Sequence, residues 1–147
     1  MELVLLGPPL AKARHRSFCR GGRIASYDPQ SEQMSAAKRE LYSQMTVNGL
    51  NLIAEGPVHV ELRNYLPIPK SVATGKRSAL SGIPSLSKKD IDNLAKFTLD
   101  ALNGIAFTDD HQVTRLHCTK VYGESPRVEI TVLPILPREY GAVPNCS

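Results

Sequence analysis

The feature that most restricts the fold is the segment DIDNLAKFTLDALN, residues 90–103, which Gly104 follows at once. At ~100° per residue, Ile91, Leu94, Ala95, Phe97, Thr98, Ala101 and Leu102 sweep a wide apolar arc. The spacing predicts a helix over 90–103, buried round much of its circumference, with Gly104 as its C-terminal cap. A helix this apolar needs a broad surface to cover. PVHVELRNYL, residues 57–66, supplies one by alternating apolar and polar residues as a half-buried strand does. QVTRLHCTKVY and RVEITVL read as a strand pair joined through Gly123 to Pro126, and ELVLL at 2–6 as a short strand stopped by Gly7, Pro8 and Pro9. Asp28 to about Asn48 reads as a second amphipathic helix, with Asp28 as N-cap, Pro29 at its first position and Gly49 just past its end. Strand, helix, strand, helix, strand, strand predicts an α+β fold: one mixed sheet with helices packed against it.

A chain of 147 residues fits one domain, which buries roughly 68–70% of its unfolded surface without staples. That domain is expected over 1–133, with a proline-containing tail at 134–147 that adds little to the core. No apolar run approaches the ~18 residues of a membrane span, and MELVLLGPPL lacks the basic start and cleavage site of a signal peptide. A cytoplasmic protein with no membrane contact is expected. Cys19, Cys118 and Cys146 are odd in number and far apart, which suits reduced thiols rather than a zinc site.

The polar remainder of the 90–103 helix is Asp92, Asn93, Lys96, Asp100 and Asn103, within about a third of a turn, with Asp90 at its mouth. Asp109 and Asp110 follow after the short connection IAF. Each feature has an ordinary explanation. Asp90 can be an N-cap answered by Asn93, Asp92–Lys96 and Lys96–Asp100 can be i,i+4 pairs, and Asp109–Asp110 can be a solvated turn. Together they form a set of short-stemmed carboxylates whose like charges repel one another unless a cation joins them. Hard oxygen ligands of this kind suit Mg²⁺, with Mn²⁺ as a substitute.

The net charge of +4 comes from 18 basic and 14 acidic residues, and its distribution matters more than its size. KARHRSFCRGGRIAS carries Lys12, Arg14, Arg16, Arg20 and Arg23 with no acid, around a tight Gly21–Gly22 turn between two extended pieces. KSVATGKRSALSGIPSLSKK, which reads as a long mobile loop with room for one helical turn, adds Lys70, Lys76, Arg77, Lys88 and Lys89. These cations suit backbone phosphates. Aromatic residues are only 5% with no tryptophan, which argues against a stacking platform for single strands.

KKDIDNLAKFTLDALNGIAFTDDHQV resembles the RusA family of crossover junction endodeoxyribonucleases, Holliday-junction resolvases carried largely by phages and prophages. The likeness rests on D-x-D-N-x-x-K, then D-A-L, then D-D-x-Q. It extends to GPPLAKARHRSFCRGGRIASYDP and YLPIPKS, somewhat more than half of the chain. The resemblance implies a RusA-like nuclease domain in which Asp90, Asp92 and Asp110 are catalytic carboxylates that bind Mg²⁺, and Lys96 is the active-site lysine. Asp109, a further candidate for the metal, and Gln112 fall on neighbouring motif positions. It also implies a homodimer with a metal site in each subunit, branched DNA as substrate, paired cuts, and no organic cofactor. Asp100, a turn deeper, reads as supporting or structural.

Phosphodiester hydrolysis needs an activated water, a neutraliser for the charge growing on phosphate, and stabilisation of the departing oxygen. The three carboxylates with their ion serve the first two needs, and Lys96, one turn from Asp92, serves the phosphate or the leaving oxygen. Two other functions fit the same residues: a metal-dependent nuclease for flaps or duplex, and a structure-selective DNA-binding protein without catalysis. An EF-hand does not fit, because the loop from Asp90 has Leu94 and Ala95 where an oxygen ligand and a glycine are needed.

Overall fold

A computed structural model describes residues 1–13, 16–20 and 23–139. Its strands are β1 (Glu2–Leu6), β2 (Arg16–Arg20), β3 (Arg23–Tyr27), β4 (Val58–Pro67), β5 (Val113–Gly123) and β6 (Arg127–Pro134), and its helices α1 (Ser31–Val47), α2 (Arg77–Leu80) and α3 (Ile91–Leu102). One four-stranded mixed sheet runs in the order β1-β6-β4-β5, so the α+β fold expected from the sequence is what the chain adopts.

β4 is the middle of the fold because its alternation is the cleanest. Val58, Val60, Leu62, Asn64 and Leu66 are all buried, while Glu61, Arg63 and Pro67 point to solvent. A strand this well buried on one face takes partners on both edges: β5 parallel on one side, β6 antiparallel on the other. The expected direct pairing of β5 with β6 is therefore wrong. The turn at 124–126 carries the chain across the end of β4, and no ladder joins the two strands. α1 and α3 cover the apolar face, where Leu41, Phe97, Ala101 and Leu102 meet Leu3, Val60, Leu62, Ile130 and Val132.

Two further expectations need correction. α1 starts at Ser31, not at Asp28, because Asp28 Oδ1 accepts from Gln30 N at 2.8 Å and makes 28–30 a turn. Gln30 then bonds Ala13 N and Ala11 O, tying that turn to the incoming chain. The 70–89 loop holds the expected helical turn, α2, but it does not run free: it is sewn to the outer edge of β5, with Gly82 N on Tyr122 O, Tyr122 N on Ile83 O and Ser85 N on Lys120 O. At the start of the tail Ile135 is buried, and its N–H bonds Pro57 O. β2 and β3 pair antiparallel with Arg20 opposite Arg23. The Gly21–Gly22 turn, Arg14 and the side chains of Arg16, Arg20 and Arg23 lie outside the described residues.

Candidate active site

α3 begins where several backbone carbonyls are held by lysines. Lys120 Nζ donates to Ser87 O at 3.0 Å and to Lys89 O at 2.8 Å, and Lys89 Nζ bonds Pro9 O. Lys12 N donates to Asn93 O at 2.8 Å. These bonds fix the approach to Asp90, whose extended backbone (φ −70°, ψ 135°) makes it the N-cap residue of α3. Its carboxylate makes no capping bond. Among the described residues no ion pair includes Asp90, Asp92, Lys96 or Asp110, and all four are exposed. The i,i+4 pairs Asp92–Lys96 and Lys96–Asp100 are not formed. Ile91, placed on the apolar arc by periodicity, is 41% exposed beside them.

Asp100 has a different task. Its Oδ2 lies 3.1 Å from Lys12 Nζ, which also meets Asp28 Oδ2 at 3.4 Å. Burial alone would lower the Lys12 pKa, but Asp100 first and Asp28 second outweigh it and hold the pKa above the ordinary lysine value. Lys12, read from sequence as a phosphate contact, is thus a brace between α3 and the turn before α1. Arg77 likewise donates to Ile68 O and Pro69 O. Lys70, Lys76 and Lys88 are exposed, with no ion pair among the described residues.

The second acidic pair sits in the turn that leads into β5. Gly104, at φ +77°, ends α3 in a conformation that side-chain-bearing residues avoid, and Ala106 and Phe107 then anchor the connection in the core. Asp109 caps the short turn 110–112: its Oδ1 accepts from His111 N at 3.1 Å while its own N–H donates to Gln112 Oε1 at 3.0 Å. The His111 backbone N–H, then the His111 ring, then the Asp110 carboxyl hold the Asp109 pKa below the ordinary value. Gln112 is buried, and its Nε2 bonds Ile53 O and Gly56 O. It positions the turn; it does not stand with the exposed carboxylates. Sequence reasoning missed the anchoring role of Lys120, for which a strand lysine in an alternating pattern gives no signal.

The stretch from Gly7 to Leu133 matches the family described as "Endodeoxyribonuclease RusA", so the match spans most of the chain. The chain belongs to the RusA family. A Bacillus subtilis (strain 168) protein described as "Uncharacterized protein YqaN" is 32% identical over 141 residues, covering 90% of this chain and 94% of that protein. The RusA family implies endonuclease activity on Holliday junctions. No helix among the described residues is long and apolar enough to cross a membrane.

One expectation about the site meets a geometric obstacle. Among the described residues, no three His, Cys, Asp or Glu side chains of one chain are gathered closely enough to hold a metal ion. The topology explains this. The start of α3 lies over Cys118, whose Sγ is 3.9 Å from Ile91 O, whereas Asp110 precedes the first residue of β5. Asp90 and Asp92 stand at the start of α3, whereas Asp109 and Asp110 stand beyond its end, past the 103–108 connection.

Proposed function

We propose that the chain is a Mg²⁺-dependent endodeoxyribonuclease that resolves four-way junctions by paired cuts, acting as a homodimer. The observation that carries this reading is the division of labour among the aspartates of the motif. Asp100 and Asp109 are engaged in structural contacts, while Asp90, Asp92 and Lys96 stand exposed at a braced helix start, in no ion pair among the described residues. Rigid, unpaired charges of both signs have no structural role there, and they suit an ion and a phosphate.

The donor set fits Mg²⁺ by its chemistry, since it consists of hard carboxylate oxygens open to water. Asp90 and Asp92 of one copy would hold the ion together with Asp110 of a second copy, because among the described residues of one chain no three such groups are gathered. When bound, the ion supplies an activated water and neutralises charge developing on the phosphate. Lys96 supplies a fixed positive charge one turn from Asp92. Lys70, Lys76 and Lys88, exposed on the loop that leads into α3, bind backbone phosphates without reading bases, and Arg14, Arg16, Arg20 and Arg23 extend that surface.

The test is cleavage of a synthetic four-way junction with and without Mg²⁺, beside a flap and a plain duplex of the same sequence. Metal-dependent cutting of the junction in preference to the other two supports the reading. Preference for the flap or duplex replaces the substrate, and binding without any cutting replaces the enzyme with a structure-selective DNA-binding protein.

A further inference from the structure

We propose that Leu86 is an apolar wedge that packs against an unstacked base at the branch point of the DNA, close to the phosphate to be cut; this rests on the junction reading above. Leu86 is 92% exposed, the highest value of any large apolar side chain among the described residues. Val47 at 80% and Leu6 at 76% come nearest, and each is the last residue of its element, where packing neighbours run out. Leu86 instead lies between two residues that are pinned.

Both neighbours are fixed to one strand residue. Ser85 is buried, and its N–H bonds Lys120 O at 3.0 Å. Ser87 O accepts from Lys120 Nζ, also at 3.0 Å, and Ser87 N bonds Ser85 Oγ at 3.2 Å. Lys120 thus clamps the chain before and after the leucine. A loose loop would turn a leucine inward, because removing it from water is favourable. Here the clamped backbone holds it out.

Place and charge decide what the leucine meets. Lys120 Nζ also holds Lys89 O, so the clamp that presents Leu86 is the one that fixes the approach to Asp90. Four residues span at most about 14 Å, and bases rise about 3.4 Å per step along a strand. Leu86 therefore stands within about four steps of a phosphate held at Asp90. Residues 70–89 carry Lys70, Lys76, Arg77, Lys88 and Lys89 and no acid. A second copy would set the same positive charge against itself, whereas DNA answers the lysines with phosphates and the leucine with the face of a base. Inserting an apolar side chain into a continuous duplex must first break a stack. A branch point opens more readily than a continuous helix, so the same insertion costs less there. Leu86 thereby favours the branch over the duplex without reading sequence.

The experiment uses the full chain in EDTA with two DNAs of one sequence, a four-way junction and a plain duplex, each carrying the fluorescent base 2-aminopurine at the position that flanks the branch. Wild-type protein should brighten that base in the junction, where it leaves the stack, and leave it quenched in the duplex. Leu86→Ala, with an unchanged circular dichroism spectrum, should lose most of the brightening and about tenfold in junction affinity, the scale of burying one leucine side chain. Its duplex affinity should stay within about twofold of the wild type, because phosphate contacts carry that binding. Leu86→Met, apolar and of similar size, should restore both the brightening and the affinity. An unchanged junction-to-duplex ratio in Leu86→Ala overturns the wedge. A change in sedimentation of the DNA-free chain on the same substitution also overturns it, because Leu86 then packs against a second copy. Failure of the nuclease reading looks different: the junction brightens, Leu86→Ala abolishes the effect, and the wild type with Mg²⁺ cuts no strand.

Discussion

The two acidic pairs look alike in sequence and differ in what the fold does with them. At the start of α3, Asp90 occupies the N-cap position yet caps nothing, and Asp92 has no cation within ion-pair reach among the described residues. In the turn before β5, Asp109 takes the cap and the His111 contact, leaving Asp110 with the Asp109 carboxyl beside it. One pair is wholly uncommitted and the other is half committed. A folded chain ordinarily engages its short carboxylates wherever N–H groups or cations are near. Where it leaves three of them exposed on rigid backbone, a function outside the single chain is the simplest explanation.

The largest effect expected is at Asp92. Asp92→Asn keeps size and one oxygen but removes the charge, so junction cutting should fall by at least about a hundredfold, more than the usual loss on disturbing a ligand's outer partner. Junction binding should hold or tighten, and stability in EDTA should hold or rise, because neutralising one carboxylate relieves repulsion. Asp109→Asn should cut far better than Asp92→Asn, and equal loss in the two would erase the distinction between the pairs. Mixing sharpens it further. Asp92→Asn and Asp110→Asn chains, each inactive, should regain nicking when combined, since each mixed dimer rebuilds one intact site. With random pairing about a quarter of wild-type sites return and paired cuts stay rare. No recovery on mixing places all three carboxylates in one chain.

How far the sequence reached depended on whether a signal was local. α3, its terminal glycine and the alternation of β4 are local patterns, and each was legible to within a residue or two. The neighbours of β5 were not, because strand order is decided by which strand is most buried, and Val58 to Leu66 hold that place only once both helices are down. The start of α1 moved because Asp28 and Gln30 are drawn into contacts near residues 11–13, remote in their spacing from any capping pattern. The site divides in the same way. The motif residues could be named in order along the chain, but the fact that Asp100 serves Lys12 belongs to the topology alone.

The lysines give a comparison of intermediate size. Lys12→Ala leaves Asp28 and Asp100 without their shared cation and should cost about 1 kcal/mol in denaturant unfolding, with little change in how DNA affinity depends on salt. Lys76 and Lys88 should behave oppositely. Removing either should leave stability within about 0.5 kcal/mol and reduce the salt slope by about 1, as for a lost phosphate contact. Arg14, Arg16 and Arg20 replaced together should flatten the slope more. A slope that responds to Lys12 and ignores Lys76 would reverse the assignment of braces and grips.

The smallest effect expected is a pH dependence carried by the committed member of the second pair. Asp109 titrates in the folded protein below its ordinary value of 3.8, chiefly because the His111 backbone N–H favours the ionised form. A depressed folded-state value means that the unfolded chain takes up the proton first. The contribution to stability is therefore complete above about pH 4 and is lost as the pH falls through the folded-state value. Asp109 is exposed, so this is a shallow slope on the acid limb and leaves the neutral plateau untouched. Asp109→Asn keeps a carbonyl oxygen that can accept the same N–H but has nothing to titrate. Its melting temperature should fall less steeply than that of the wild type over the last unit of pH before acid unfolding, and the two profiles should run parallel above it. Parallel profiles throughout would mean that the cap at the turn into β5 does not depend on charge, and would return Asp109 to the uncommitted set as a second candidate for the ion.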